Sequence, residues 1–379
     1  MIPENQYYSY NLGELPLGCQ FCVKGEKLVL FVTGICPRRC YFCPVSDQKY
    51  GKDVEFANER PVIEEADIIA EAQAMDAKGA GITGGDPLSK LDRTISCIKL
   101  LKSKFGKQFH IHLYTSLILV NEKSMKELYE SGLDEIRFHL DLDSSEIWNR
   151  IKLAKKYSWD IGVEIPCIPG KEKETRKIID FVHNKVAFLN LNELEMADNS
   201  LSTLGEIGYK TKDELSYAIL GSKDMGLEMI EYVKNKKYTL PVHFCTAKLK
   251  DAVQLTNRIK RESAHVKHDF DHADEEGMLT RGAAYLPELA PGFDYRKKLD
   301  MVDKLAVIEK LKPIVEKMKK ELKFKDNEFY LDPLKPRIIF SRKNARVYNK
   351  WFKEQGLMVA IVVEYPTADQ LEIEVDFLE

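Results

Sequence analysis

From Leu28 to Phe244 short apolar runs alternate with helix-patterned stretches, and few folds accommodate that order. Leu28–Thr33 reads as a strand buried on both faces, and further strands are expected at 80–83, 109–115, 135–140, 161–165, 188–194 and 240–244. The intervening segments, about 62–77, 88–104, 121–131, 144–157, 172–183 and 212–236, carry helical spacing of apolar residues. Strands separated by helices of ten or more residues make βαβ units with right-handed crossovers and a parallel sheet. Seven such strands predict an α/β fold, a full or partial (β/α) barrel, whose chemistry sits at the C-terminal strand ends.

Two loops fall at such ends. The first carries Cys36-Pro37-Arg38-Arg39-Cys40-Tyr41-Phe42-Cys43, three cysteines at C-x3-C-x2-C spacing. A [4Fe-4S] cubane ordinarily takes four thiolates. Three cysteines hold three irons and leave the fourth open, and an open coordination position marks a catalytic rather than a structural site. A zinc knuckle or three unrelated thiols is the plainer reading, but zinc pairs repeat as C-x2-C. The second loop is Gly84-Gly85-Asp86-Pro87, after the strand at 80–83.

Composition narrows the field. Eight cysteines in 379 residues are too few for a disulfide scaffold, and three at cluster spacing indicate a reducing, cytoplasmic setting. A net charge of −3 gives no global field for nucleic acid, although it leaves room for a local basic patch. The beginning of the chain lacks a signal-peptide pattern, and no stretch approaches the roughly 20 apolar residues of a membrane span.

The cysteine loop after the first strand, the Gly-Gly-Asp-Pro loop after the second and the βα order together resemble the radical S-adenosylmethionine (SAM) superfamily. Within it the chain is similar to uncharacterised archaeal proteins related to pyruvate formate-lyase activating enzymes. The likeness covers roughly 28–245. It implies that Cys36, Cys40 and Cys43 ligate the cluster and that Phe42 shields it. Gly84 and Gly85 would let backbone approach the methionyl amino group of SAM. Asp86 stands where most of the family has Glu, and its shorter side chain would accept from the same ammonium. Thr115, with Ser116, and His139 and Asp141, at the ends of the third and fourth strands, match positions that touch SAM. Each of these equally reads as a structural hydrogen-bonding residue, as do Glu164 and, on the sixth strand, either the face of Asn190, Asn192 and Leu194 or that of Glu193 and Glu195, whichever points inward.

A Cys19-x2-Cys22 pair followed by Gly25 precedes the first strand and suits a metal knuckle or a hairpin with two buried thiols. Together with His243 and Cys245, two apart on the last strand, it forms a candidate second site for zinc or an auxiliary iron–sulfur cluster. The alternative is four buried side chains.

Beyond the barrel the pattern changes. The expected organisation is an N-terminal extension at 1–27, a barrel at 28–246, a basic and acidic connector at 247–296 and a small α/β domain at 297–379. The basic segment 247–268 (Lys248, Lys250, Arg258, Lys260, Arg261, Lys267) precedes the acids Asp269, Asp271, Asp274, Glu275 and Glu276. Two solvated, mutually screening surfaces are expected there, with an anion or RNA site as the alternative. The function that the resemblance implies is hydrogen abstraction by a 5′-deoxyadenosyl radical, with a ferredoxin or flavodoxin as electron donor. The substrate stays open between tRNA, lipid and small molecule. Activation of a glycyl-radical enzyme and non-catalytic electron transfer are the rival readings.

Overall fold

A computed structural model describes residues 2–379, which form two compact units, one ending at Arg258 and one running from Ile259 to Glu379. In the first unit β1 (Tyr10–Leu12) and α1 (Leu17–Cys22) precede seven parallel strands that lie side by side in chain order. These are β2 (Lys27–Phe31), β3 (Gly79–Thr83), β4 (His110–Ser116), β5 (Glu135–His139), β6 (Asp160–Cys167), β7 (Phe188–Glu193) and β8 (Val242–Cys245). β1 pairs antiparallel with β8 at one edge, and a hairpin of Phe56–Ala57 and Arg60–Pro61 pairs antiparallel with β2 at the other. Both edges are thus blunted and the sheet does not close. The architecture is a partial (β/α) barrel.

Side chains alternate across each strand, and the two faces differ in chemistry. Outward-facing Ile111, Leu113, Ile136, Phe138, Val163, Ile165, Leu189 and Leu191 are fully buried in the main hydrophobic core. The helices covering them are α2 (Glu65–Ala74), α3 (Leu91–Phe105), α4 (Glu122–Glu130), α5 (Glu172–Val182) and α6 (Ser222–Asn235). Capping boxes start α2 (Glu64 with Asp67) and α4 (Asn121 with Ser124), and Gly106 at φ 87° stops α3. The opposite face carries His110, His112, Tyr114, Glu135, Arg137, Glu164, Asn190 and Asn192. The expectation that the first strand is buried on both faces fails at Val29, which is 49% exposed beside the open edge.

Two helices are shorter than their spacing suggests. Only Trp148–Arg150 and Ile151–Ala154 are helical within 144–157, and 212–221 forms a loop with isolated bridges before α6 begins after Gly221 at φ 85°. Cys19 and Cys22 lie on a helix, not in a knuckle or hairpin. The basic segment is helical at Ala247–Leu249 and Thr256–Val266, with a wider turn between.

The second unit is an antiparallel sheet of β9 (Leu279–Tyr285), β10 (Phe329–Asp332), β11 (Arg337–Phe340), β12 (Met358–Glu364) and β13 (Glu372–Phe377), in the order β10-β11-β9-β12-β13. His272–Ala273 pairs onto β9. Helices α7 (Lys304–Leu322) and α8 (Arg342–Glu354) supply Val307, Leu311, Val315, Met318, Ala345 and Phe352 to its core. The central strand β9 falls inside the expected connector. Its sequence, Leu-Thr-Arg-Gly-Ala-Ala-Tyr, hides it: Arg281 is buried, and a Cβ on Gly282 would stand 2.7 Å from Ala345 Cβ, so the small residue lets α8 lie close.

Candidate active site

A cavity of about 660 Å³ opens at the C-terminal ends of the parallel strands. Cys36, Cys40, Cys43, Phe42, Gly84, Gly85, Thr115 and His139 all line it, as do Tyr114, Arg137, Glu164 and Asn192 from the strands below. The cysteine loop leaves β2 and is pinned by backbone bonds from Gly34 N–H to Lys52 O (2.9 Å) and from Cys43 N–H to Cys40 O (3.0 Å). The Arg38 amide donates to Cys36 Sγ at 3.4 Å. Burial pushes the Cys36 thiol up to about 11 and raises those of Cys40 and Cys43. These thiols therefore stay protonated until a cation at the site compensates the thiolate.

The glycine loop packs against the cysteine loop as well as lining the cavity. A Cβ on Gly84 would sit 2.4 Å from Thr33 O, and one on Gly85 would sit 2.5 Å from Ile35 O and 2.7 Å from Gly34 O. Gly85 N–H donates to Thr33 O (2.7 Å) and Asp86 N–H to Ile35 O (2.9 Å). The two glycines are what allow the cysteine loop to seat on the sheet. Asp86 does not line the cavity. It is 1% exposed, and its carboxylate accepts from Thr115 Oγ1 (2.7 Å), Ser116 Oγ (2.6 Å), Ser116 N–H (3.1 Å) and Leu88 N–H (3.1 Å). These contacts make Asp86 a brace between the glycine loop and the end of β4.

Arg38, inside the cysteine motif, ties the loop to β5. Its guanidinium donates to His139 O (3.2 Å) and pairs with Asp141 at 3.2 Å. Asp141 borders a smaller recess of about 200 Å³ that shares Arg38, Ser116 and His139 with the main cavity. His139 packs 5.8 Å from the Phe42 ring, and burial lowers it to about 4, so it is neutral near pH 7. Its buried Nε2 has no partner among the described residues, which leaves an acceptor for a ligand.

The cavity floor is ionic. Arg137 donates to Glu135 Oε1 (2.5 Å), Glu164 Oε2 (2.9 Å) and the Tyr114 hydroxyl (3.1 Å). Asn190 and Asn192 each donate to Glu164 at 2.9 Å. Burial opposes the charge of Glu164, but Arg137 and these amides outweigh it and hold the carboxyl below its usual range. The inward face of β7 is thus the asparagine face. Glu193 instead accepts from Ala247 N–H, and Glu195 pairs with Lys250.

The loop 196–220, expected to be partly helical, clamps the cysteine loop. Asn199 Nδ2 donates to Cys43 O (2.9 Å) and Val45 O (3.0 Å), Ser200 Oγ to Asp47 (2.7 Å) and Thr203 N–H to Tyr41 O (2.9 Å). No local signal marks these residues, because their partners lie about 150 positions earlier.

Of the residues expected to make a second metal site, Cys19 and Cys22 come from α1 and His243 and Cys245 from β8. Helix α1 lies at the other end of the strands: Gly18 N–H donates to Glu135 at the start of β5, and Phe21 packs on His110 at the start of β4. Cys19 Sγ accepts from Asn190 (3.3 Å) and Arg137 (3.5 Å). His243 meets Ser9 Oγ at 3.2 Å, and Cys245 is buried with Val23, Leu249 and Val253. Among the described residues no three His, Cys, Asp or Glu side chains converge on one metal-holding point. That holds for Cys36, Cys40 and Cys43 as well, but these three share a cavity wall, beside an unpartnered acceptor. This donor set fits an iron–sulfur cluster with one open iron.

Fold, cysteine loop and cavity place the chain in a known class: it belongs to the radical SAM superfamily, whose family model matches residues 30–182, and it is an enzyme of that type, using a [4Fe-4S] cluster and SAM. Over nearly its whole length it is similar to a protein of Methanocaldococcus jannaschii with the provisional name glycyl-radical enzyme activating enzyme. The two are 36% identical over 97% of this chain and 94% of that protein. Solved structures with weaker likeness include methylornithine synthase (13% identity, 60% of this chain and 71% of that one, TM-score 0.38). Coproporphyrinogen III oxidase from Escherichia coli matches at 10% identity over 90% and 93%, with a TM-score of 0.36. Among the described residues no helix is long and apolar enough to cross a membrane.

Proposed function

We propose that this chain abstracts a hydrogen atom from a polar substrate held at the ionic floor of the cavity. The observation that carries the reading is one cavity lined both by the three motif cysteines and by Arg137, Glu164 and Asn192. Cys36, Cys40 and Cys43 would hold the cluster. When bound, cluster and SAM supply a 5′-deoxyadenosyl radical able to take hydrogen from an unactivated carbon. The chain's own residues do the rest. Phe42 and His139 wall the site against water, and the neutral His139 Nε2 accepts a hydrogen bond there. Ionised Glu164, held by Arg137, Asn190 and Asn192, orients donor groups of the substrate without reorganising.

The test is anaerobic reconstitution with iron and sulfide, reduction with dithionite, addition of SAM, and quantification of 5′-deoxyadenosine. Wild type is expected to form it, and Cys36→Ala, Cys40→Ala and Cys43→Ala are each expected to form none. Deoxyadenosine from any of the three variants would overturn the ligand assignment. No deoxyadenosine from wild type, with an unchanged spectrum on adding SAM, would leave an electron-transfer protein.

A second reading, activation of a glycyl-radical enzyme, is favoured by the name of the Methanocaldococcus jannaschii relative. The extra C-terminal unit does not argue against it, since that likeness spans almost the whole chain. A glycyl-radical doublet in the electron paramagnetic resonance spectrum of a co-incubated partner enzyme would establish it. Deoxyadenosine formed without such a signal in any partner tested would favour the small polar substrate.

A further inference from the structure

Part of the charge of the basic segment that stands out in the sequence is matched. Lys250 pairs with Glu195, Arg258 pairs with Glu59 at 2.5 Å, and Lys248 sits 3.7 Å from the centre of the Tyr8 ring. On α7, Lys312 pairs with Glu309, Lys317 with Glu321, and Lys319 with Glu316 and Asp326, whereas Lys304, Lys310 and Lys320 form no ion pair among the described residues.

Helix α8 is different. Arg342, Lys343, Arg346, Lys350 and Lys353 are all exposed, and among the described residues none of them forms an ion pair. Arg342, Arg346, Lys350 and Lys353 follow a spacing of four, four and three, which places them on one stripe of the helix. The stripe is about 16 Å long at 1.5 Å per residue. The acidic groups nearest in sequence or contact are Glu354 at the helix end, Glu321, which accepts from Trp351 Nε1, and the chain end at Glu379, whose carbonyl accepts from Asn349.

We infer that this face of α8 binds the sugar–phosphate backbone of a nucleic acid. In a chain of net charge −3, five exposed cations left without carboxylates on one helix face make a local positive field that attracts a polyanion. Two arginines in the row can each grip a phosphate with two parallel bonds. A membrane surface fits less well. Such helices bury an apolar face in lipid, whereas the apolar side of α8 (Ala345, Phe352, Tyr348, Trp351) is committed to the core, leaving only Val347, 60% exposed, on the outer side. Backbone binding through four phosphates carries a salt signature, a slope of log K against log salt of about −2.8 for a single strand.

The experiment uses the full-length protein with fluorescein-labelled single-stranded RNA and bulk tRNA, titrated by anisotropy between 50 and 200 mM salt. Affinity is expected to fall about 50-fold across that range. The charge-reversed variant Arg346→Glu/Lys350→Glu, altered only at exposed positions, should keep the wild-type circular dichroism spectrum and deoxyadenosine formation. Its binding at 50 mM salt should drop at least about tenfold, with a slope shallower by about 1.4 as two phosphate contacts go. Absence of binding at 50 mM salt, or binding equal in the variant, overturns the inference. So does polyglutamate competing as well as RNA at equal charge, which would assign the face to an acidic protein.

Discussion

Arg137 sets the energetics of the barrel interior. It is buried between Glu135 and Glu164, and removing one member of a buried ion cluster strands the others. Arg137→Met is expected to destabilise the first unit by about 3–5 kcal/mol in urea denaturation. A cost below about 1 kcal/mol would mean that water already solvates the carboxylates. Lys27 offers a pH test. Burial lowers it from 10.5 to about 7, and its Nζ donates to Ala80 O and His110 O. Between those values the unfolded chain binds the proton and the folded chain does not, so stability rises with pH from about 7 to about 10. The stability difference between wild type and Lys27→Met should therefore grow in favour of wild type over that interval. A flat difference would show that Lys27 keeps its ordinary proton. Neither Arg137 nor Lys27 stands out in the sequence, whereas the cysteines do, because their spacing is local. The brace made by Asp86 had no local signal, since the hydroxyls that bond its carboxylate come from Thr115 and Ser116 about thirty residues later.

The glycine loop and helix α1 each decide how the strand ends are used. Gly85→Ala drives a methyl into the backbone of the cysteine loop. Iron retained per chain after reconstitution is expected to fall below half of wild type, whereas Gly205→Ala, with open space around its Cβ, should leave it unchanged. Equal iron in both variants would show that the loop adjusts freely. Helix α1 fills the far end of the strands with Cys19 hydrogen-bonded to Asn190. Cys19→Ser and Cys22→Ser are accordingly expected to leave iron at about four per chain, one cubane. Loss of about half of an iron content near eight would instead reveal an auxiliary cluster. The parallel strands were readable because runs such as Leu28–Val32 are apolar and end in turn-forming residues. Strand β9 was not, because burying Arg281 against Asp271 and Glu364 needs partners that no local pattern announces. Helical spacing over 212–221 likewise misled, because Ala218 and Ile219 are used in bridges to Glu195 and Thr211.

At the scale of the whole molecule, the hydrophobic core of the first unit is assembled from strands and helices, and the cysteine loop adds only Tyr41 and Phe42 to its margin. Stripping iron with a chelator should therefore leave far-UV circular dichroism unchanged while opening residues 36–50 to proteolysis. Reconstitution should raise the thermal midpoint, as binding to the folded state does. Collapse of the circular dichroism signal without iron would mean that the metal builds the fold. The sequence by itself determined the strand–helix order, the placing of two special loops at the C-terminal strand ends, and the donor set of the three cysteines. All of these depend on residues near one another along the chain. The tertiary structure alone decided that the barrel stays open and that its inner face carries an Arg–Glu–Asn floor. It also decided that the glycines serve loop docking, and that the unmatched positive face lies on α8 rather than on the conspicuous basic segment. Each of those outcomes rests on which distant carboxylate, hydroxyl or backbone carbonyl arrives within hydrogen-bonding distance, and folding settles that only when the elements pack.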